Sequence, residues 1–116
     1  MHFKFEKLII WQKAMDLGEQ LNIIIDTYPI KERFNLVSQT LRAVDSIALN
    51  ISEGSILQSK AEYKRFIGYS VRSLAEVVTC IHKARKRKYI SNAEFEELYI
   101  SSYNLMNMMV AFKRNI

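Results

Sequence analysis

Turn-forming residues are scarce in this chain of 116 residues, which contains three Gly and one Pro. Sandwiches, barrels and other β folds need many tight turns, so the scarcity argues against them. It also argues against a disordered or linker protein, whose composition is usually rich in such residues. No apolar stretch reaches the roughly 18 residues of a membrane-spanning helix, so we expect no membrane partner. The length is typical of a single domain, here residues 1–116.

Cysteine and histidine, the usual nucleophiles and metal ligands, are also scarce. Cys80 is the one cysteine, which excludes an internal disulfide and favours a reducing cytoplasm. We expect it to be a small buried apolar residue rather than a nucleophile. His2 and His82 cannot supply the Glu-x-x-His pairs with which helical bundles hold two metal ions. Because no glycine-rich phosphate-binding motif occurs either, the sequence predicts no catalytic residue, no metal, no cofactor and no enzymatic activity.

Apolar residues recur at alternating steps of three and four, the pattern of amphipathic helices. The first predicted helix spans residues 5–27 and ends before Pro29, because the residue preceding a proline disfavours the helical conformation. The second begins at Pro29 and ends at Gly54, which we expect to adopt a left-handed conformation. The expected core positions of these two helices are Ile10, Ala14, Leu17, Leu21, Ile24 and Tyr28, followed by Phe34, Val37, Leu41, Val44, Ala48 and Ile51.

Two capping boxes open the third and fourth predicted helices, after a connection at residues 55–58. Ser59 with Glu62, and Ser91 with Glu94, have the spacing at which a hydroxyl and a carboxylate satisfy free backbone amides. The expected core positions are Tyr63, Ile67, Ser70, Leu74, Val77 and Ile81, followed by Phe95, Leu98, Ser102, Leu105, Met109 and Phe112. Four helices joined by short loops predict an all-α fold, an antiparallel up-down-up-down four-helix bundle.

The net charge of +5 is concentrated in one segment. Residues 60–88 carry nine Lys and Arg against Glu62 and Glu76, which leaves +7. Five of the six residues from Lys83 to Lys88 are basic, more than the end of a helix requires. Such a run attracts RNA or DNA, although a solvated helix end is the simpler interpretation. The expected nucleic-acid contacts are Lys83, Arg85, Lys86, Arg87 and Lys88, extended along the third helix by Lys60, Lys64, Arg65 and Arg72.

These contacts would be made to phosphates, which give affinity but little sequence information. Charge reversal at Arg85 and Arg87 should then abolish most of the binding. Tyr89 is the aromatic residue at the end of the run, and it gives little support to base stacking.

A polar stripe follows one face of the second helix. Its members recur at steps of three and four and are Gln39, Arg42, Ser46, Asn50 and Glu53. The stripe contains no Lys and has apolar flanks, which indicates partial burial, either as a structural network or as a line of ligand contacts. Arg42 and Glu53 lie about 16 Å apart along a helix. We therefore expect each to take a partner elsewhere, such as Glu76 or Arg72.

Helices 1 and 4 have more apolar surface than one bundle needs. The fourth helix carries no charge between Leu98 and Phe112. Its additional apolar residues are Tyr99, Ile100, Tyr103, Met106, Met108 and Val110, and those of the first helix are Trp11, Met15, Ile23 and Ile25. Wide apolar faces on a polar chain usually mark subunit interfaces, so we expect a homo-oligomer of unspecified order.

Several segments resemble the "four helix bundle protein" family, whose founding members are encoded in intervening sequences of bacterial 23S ribosomal RNA genes. The first segment is Phe5, Leu8, Ile10-Trp11-Gln12 and Ala14. The second is Pro29, Glu32-Arg33-Phe34-Asn35-Leu36, Gln39, Arg42-Ala43, Ser46-Ile47 and Asn50-Ile51-Ser52-Glu53-Gly54. The third is Phe66-Ile67 and Ser73-Leu74-Ala75-Glu76, with Ser70 in place of an alanine and Arg72 in place of a glycine that would allow close helix approach.

This resemblance covers nearly the whole chain and implies an antiparallel four-helix bundle. It also implies a likeness to the pentameric accessory protein of diversity-generating retroelements, which binds nucleic acid and a reverse transcriptase through basic surface. Most family members have no assigned activity. The hypothesis is therefore an oligomer, a pentamer by resemblance, that binds structured RNA in preference to DNA. The alternative is an adaptor or assembly scaffold that binds a partner protein and has no nucleic-acid role.

Overall fold

The computed structural model describes residues 1–56 and 59–116, in which four α-helices contain most residues and no strand occurs. The helices are α1 (Ile9–Ile24), α2 (Leu36–Ser55), α3 (Lys60–Lys86) and α4 (Asn92–Arg114). Helices that follow one another in sequence pack side by side, and α4 closes the bundle against α1. The predicted antiparallel four-helix bundle is therefore confirmed, with a longest dimension of 43 Å.

The core lies along the bundle axis and contains most of the predicted apolar positions. Ile25, predicted as additional apolar surface, is buried, whereas the predicted core residue Ile24 is only partly buried. On α4 every expected position from Phe95 to Met109 is buried, and Phe112 packs partly buried against them. Cys80 is buried as well, as expected of a small apolar residue. Ser70 is fully buried, and its hydroxyl donates a 2.8 Å hydrogen bond to the carbonyl of Ile47. This bond ties α3 to α2 and satisfies a hydroxyl that would otherwise be costly to bury.

The first helix is shorter than the predicted 5–27. Residues Lys4–Lys7 form a 3₁₀ turn, Leu8 is extended, and α1 begins only at Ile9. A second 3₁₀ turn, Ile25–Thr27, follows the end of α1. Short 3₁₀ turns often flank α-helices and nearly preserve their side-chain spacing, so the apolar periodicity did not reveal these breaks.

The second helix begins later than predicted, and Phe34 is not a core residue. Pro29 is followed by a 3₁₀ turn at Ile30–Glu32, and α2 begins at Leu36. Phe34 lies in the turn between them with 89% of its surface exposed, and the guanidinium of Arg33 is 5.7 Å from its ring centre. Leu36 is buried instead, because the turn shifts the start of the apolar stripe by two residues.

Gly54 does not end α2 in a left-handed conformation, so that expectation is wrong. It is a helical residue with negative φ, and α2 continues to Ser55. A Cβ at Gly54 would lie 2.6 Å from Cβ of Phe66 and 3.2 Å from Cδ1 of Tyr63. The glycine is therefore required for the close approach of α3 to α2. Residues 57 and 58 of the predicted connection lie outside the described residues.

The two predicted capping boxes differ in their completeness. At α4, Ser91 Oγ accepts from the N–H of Glu94 at 3.0 Å, and Glu94 Oε1 accepts from the N–H of Ser91 at 2.8 Å. At α3, Ser59 Oγ accepts from the N–H of Glu62 at 3.2 Å. The carboxylate of Glu62 does not return the bond, because it pairs with Arg65 at 3.1 Å. The box at Ser91 is confirmed, and only half of the box at Ser59 forms.

Candidate nucleic-acid interface

The outer face of α3 collects cations that are far apart in sequence. Core residues recur along one side of this helix, so its opposite side is open to solvent. At 3.6 residues per turn, five cations fall within an arc of about 100° on that open side. They are Lys64, Arg65, Arg72, Lys83 and Lys86, all exposed, and we call them the basic face. From Lys64 to Lys86 the basic face is about 33 Å long at 1.5 Å per residue. Lys60 is exposed at the first position of α3, beside this face.

Small side chains separate the cations of the basic face. Gly68, Ala75 and Thr79 share its arc, and the hydroxyl of Thr79 donates back to the carbonyl of Ala75 at 3.0 Å. Glu76 is an exposed carboxylate at the edge of the arc. Because these small side chains protrude little from the helix, a polyanion can approach the backbone of α3 closely.

The predicted basic run ends in a tight turn rather than continuing along the helix. The N–H of Lys88 donates to the carbonyl of Arg85, and the N–H of Tyr89 donates to the carbonyl of Ala84, both at 2.9 Å. This pair of bonds is a Schellman motif, whose left-handed position is usually glycine. Lys88 occupies it with φ of 63°. The exposed side chain of Lys88 therefore leaves α3 in a different direction from those before it.

Arg87 of the basic run is bound to a buried carboxylate. Glu32 is 4% exposed, and its Oε2 accepts from Arg87 Nη1 at 3.0 Å and from the hydroxyl of Tyr89 at 2.7 Å. Its Oε1 accepts from the side-chain amide of Asn35 at 3.2 Å and from the N–H of Leu36 at 3.4 Å. We call these residues the Glu32 clasp. The clasp joins the end of α3 to the start of α2, so Arg87 has a structural role in addition to its charge.

The clasp holds fixed protonation states around neutral pH. The hydrogen bond from Tyr89 is the largest cause that lowers the pKa of Glu32, and the same bond raises the pKa of Tyr89. Burial raises the pKa of Tyr28, whose ring centre lies 5.3 Å from that of Tyr89, to about 12. An ionised carboxylate that accepts a hydrogen bond from a neutral phenol stabilises the structure and is not poised for proton transfer at neutral pH. In the sequence Glu32 is recognisable only as a motif residue, because Arg87 and Tyr89 lie more than fifty residues further along the chain.

Arg85 packs on a row of aromatic side chains on α4, a contact that the pattern of the basic run does not predict. Its guanidinium lies 3.6 Å from the ring centre of Phe95, and the His82 ring is 4.9 Å from the same ring. Phe95, Tyr99 and Tyr103 follow one another along α4 with ring centres 5.6 and 6.3 Å apart. Tyr103 is 58% exposed at the end of this row. The spacing of four along α4 was the signal that could have revealed it.

The polar stripe of α2 is satisfied mainly within its own helix. The hydroxyl of Ser46 donates to the carbonyl of Arg42, and the amide of Asn50 donates to the carbonyl of Ser46, both at 2.8 Å. Gln39, Ser46 and Asn50 are half-buried, as expected, whereas Arg42 and Glu53 are exposed.

The ion-pair partner expected for Arg42 is not found in the described part of the chain. Arg42 and Glu76 are both exposed, and neither forms an ion pair within the described residues. The ion pairs within residues 1–56 and 59–116 are Glu62–Arg65 and Glu32–Arg87. The stripe is therefore a half-buried helix face whose two charged residues are exposed.

Neither a metal-binding cluster nor a membrane-spanning helix occurs among the described residues. No group of three or more His, Cys, Asp or Glu lies close enough together there to hold a metal ion. No described helix is both long enough and apolar enough to cross a membrane.

Comparison with known proteins places the chain in a family. The sequence profile described as "23S rRNA-intervening sequence protein" matches residues 6–111. The chain belongs to this family. The resemblance found in the sequence motifs is thereby confirmed over almost the full length. No curated protein matches the chain at a significant level.

A solved structure has a similar fold. It is the crystal structure of a protein of unknown function from the S23 ribosomal protein family of Bacteroides thetaiotaomicron VPI-5482. The two chains are 18% identical, and the match has a TM-score of 0.82 over 90% of this chain and 98% of the other. At that identity the likeness supports the fold of this family member and not its activity.

Proposed function

We propose that this family member is a non-enzymatic, oligomeric helical bundle that binds structured nucleic acid, RNA in preference to DNA, through the outer face of α3. The observation that carries the proposal is the basic face, a row of exposed cations about 33 Å long on one helix. The preference for RNA rests on the family, whose description refers to 23S rRNA. The proposal treats residues 1–116 as one domain that acts in the cytoplasm.

Lys64, Arg72, Lys83 and Lys86 are the cations best suited to contact phosphates, since all four are exposed and none forms an ion pair within the described residues. Lys60, Arg65 and Lys88 extend the contact surface at its two ends. Arg85 and Arg87 add positive charge but also hold Phe95 and Glu32. Four phosphate contacts predict an affinity that falls roughly a hundredfold between 0.05 and 0.2 M salt, because bound counterions are released.

Oligomerisation would repeat the basic face around a symmetric assembly. It is supported by apolar side chains that the single chain leaves exposed, among them Met15, Ile23 and Leu49 on α1 and α2, and Ile100 and Val110 on α4. Burying such surface stabilises association by about 25 cal/mol per Å². A pentamer is the order implied by the family resemblance.

The test is a double charge reversal, Lys83→Glu with Lys86→Glu, measured by fluorescence anisotropy with a labelled structured RNA. We expect at least a tenfold loss of affinity and a shallower dependence on salt. The matched control is Lys7→Glu with Lys13→Glu, which makes the same change in net charge on exposed residues of the N-terminal segment. Equal effects of the two double variants would refute a specific role for α3.

An adaptor or assembly scaffold without a nucleic-acid role is the second candidate. It is favoured by an apolar groove of about 510 Å³ between α1 and α2, lined by Trp11, Met15, Gly18, Val44 and Leu49 among others. In that case a partner protein would fill the groove, and the basic face would meet acidic residues of the partner. A partner that stays bound after nuclease treatment and is lost on Met15→Glu would support this candidate.

A further inference from the structure

A small cavity with cationic walls lies where α3 begins and α4 ends. Its volume is about 330 Å³. It is lined by the cations Lys64, Arg65 and Arg72 of α3 and Lys113 of α4, together with Ala61, Gly68 and Tyr69. Lys113 was not among the residues predicted from the sequence, because it lies 41 residues beyond Arg72 in the chain and reaches the basic face only through the packing of α4 on α3.

The electrostatics of this cavity favour a single small anion. Four of the side chains that line it are cationic, and no carboxylate lines it. Arg65 is partly neutralised by Glu62 at 3.1 Å. Lys64, Arg72 and Lys113 have no ion-pair partner in the described part of the chain. Three uncompensated cations around one opening repel each other, and an anion bound between them removes that repulsion.

Gly68 is part of the lining of this cavity, and core packing does not require a glycine there. A Cβ at Gly68 would meet Lys113 Nζ at 3.5 Å and Cε at 3.8 Å, which are ordinary contact distances. Gly54, by contrast, has no room for a Cβ. A glycine inside a helix is less stable than alanine, so Gly68 costs stability that packing does not explain. What the glycine does provide is close access to the helix surface beneath the ammonium of Lys113.

An aromatic ring stands at the edge of the same cavity. Tyr69 lines it and is 38% exposed, and its ring is held edge to face against Phe66 at 5.7 Å between centres. A fixed and partly exposed ring next to a cationic cavity can stack a base whose phosphate occupies that cavity.

We propose that this cavity is a nucleotide subsite, in which Lys64, Arg72 and Lys113 hold one backbone phosphate over Gly68 while Tyr69 stacks the adjoining unpaired base. The proposal rests on the proposed function and specifies it, since it places an unpaired nucleotide at one end of the basic face. The planar guanidinium of Arg72 suits two hydrogen bonds to one phosphate, and the lysine ammonium groups add point charges.

The test uses the full chain and two short RNAs, one single-stranded and one duplex, in an anisotropy titration. The variants are Gly68→Ala, Lys113→Ala and Tyr69→Ala, and the matched control is Gly18→Ala, a glycine in α1 where a Cβ would also fit. Both glycine variants should raise Tm by about 3 °C, because alanine is the better helix former. A gain in Tm in both glycine variants would show that both of them fold.

The subsite predicts that Gly68→Ala and Lys113→Ala each lower affinity for the single strand by about fivefold, while Gly18→Ala leaves it unchanged. Tyr69→Ala should weaken single-strand binding by fivefold or more and duplex binding by less than twofold, about the range for loss of one stacked base. Tyr69→Phe, which keeps the ring, should bind like the wild type.

The outcomes separate this subsite from the proposed function. If the wild-type chain binds RNA and loses it on Lys83→Glu with Lys86→Glu, but Gly68→Ala, Lys113→Ala and Tyr69→Ala bind normally, the subsite is overturned and the basic face stands. Equal losses of single strand and duplex with Tyr69→Ala would overturn the stacking of an unpaired base. If the wild-type chain binds neither RNA at low salt, the subsite and the proposed function both fail.

Discussion

The hydroxyl of Tyr89 donates a 2.7 Å hydrogen bond to Oε2 of Glu32, and this bond joins the turn after α3 to the turn before α2. Arg87 shares the same carboxylate oxygen at 3.0 Å. Two residues at the end of the predicted basic run are therefore part of the scaffold that fixes the direction of α3. The surface offered to an anion is accordingly centred on Lys83 and Lys86 rather than on Arg87.

The Glu32 clasp predicts a specific dependence of stability on pH. The folded-state pKa of Glu32 is lowered from 4.5, so its stabilisation is complete above pH 4.5 and is lost as the pH falls through the lowered value. The pKa of Tyr89 is raised from 10.0, so its stabilisation is complete below pH 10.0 and is lost as the pH rises through the raised value. Between pH 4.5 and pH 10.0 the stabilisation that the clasp provides should not change with pH.

Glu32→Gln should lower Tm at pH 7 by at least about 5 °C, because the charged acceptor of several hydrogen bonds is lost. Its Tm should also fall less steeply than that of the wild type as the pH drops below 4.5. Thermal melts across pH 3–8 would check both effects, with the exposed Glu96→Gln as control. Identical acid-side profiles for Glu32→Gln and the wild type would contradict the clasp.

Lys88→Gly should stabilise the protein. Lys88 has φ of 63°, a left-handed conformation that glycine adopts freely and lysine does not. We expect a gain of about 0.5–1 kcal/mol in the free energy of unfolding, measured in urea. Lys88→Ala removes the same charge but keeps the unfavourable backbone, so it should give no gain. A loss of stability with glycine would argue against the Schellman turn.

Gly54→Ala should destabilise the protein although alanine is the better helix former. The new methyl carbon would lie 2.6 Å from Cβ of Phe66, which is anchored to its backbone and cannot move away without shifting α3. Overpacking of this kind costs about 1–3 kcal/mol. Gly18→Ala, where Val44 Cγ2 is 3.9 Å away, should gain stability instead. Urea unfolding of both variants tests the contrast, which disappears if α2 and α3 are less closely packed.

Two double charge reversals within the basic run should distinguish cations that only add charge from cations that also stabilise the fold. Lys83→Glu with Lys86→Glu alters two exposed side chains, and we expect a change in Tm of less than about 2 °C. Arg85→Glu with Arg87→Glu removes the cation over Phe95 and sets a carboxylate beside Glu32, so Tm should fall by about 5 °C or more. Differential scanning fluorimetry measures both melting temperatures. Equal values for the two double variants would contradict a structural role for Arg85 and Arg87.

The fold was largely predictable, because the core positions of an amphipathic helix follow from spacing alone. Ile67, Leu74 and Val77 are buried as their spacing required. The exceptions depend on contacts between helices. Phe34 fitted the spacing but lies in a turn, and Gly54 suited a helix end but is needed for contact with Phe66.

The candidate site was predictable as a concentration of charge but not as a shape. The nine cations of residues 60–88 are visible in the sequence. The sequence does not show which of these cations are free to bind an anion. Arg85 packs on Phe95 of α4, and Arg87 pairs with Glu32 in the turn before α2. Lys113 joins the surface for the same reason. A pattern in one segment carries no information about such partners, so the structure was needed to choose the residues to mutate.

Size-exclusion chromatography with light scattering, recorded at 260 and 280 nm in low and then high salt, tests the central claim most directly. The account predicts an oligomer that carries nucleic acid at low salt and releases it at high salt. An oligomer free of nucleic acid at every salt concentration would contradict the role of the basic face, and a monomer would also contradict the inference that the exposed apolar surface mediates assembly.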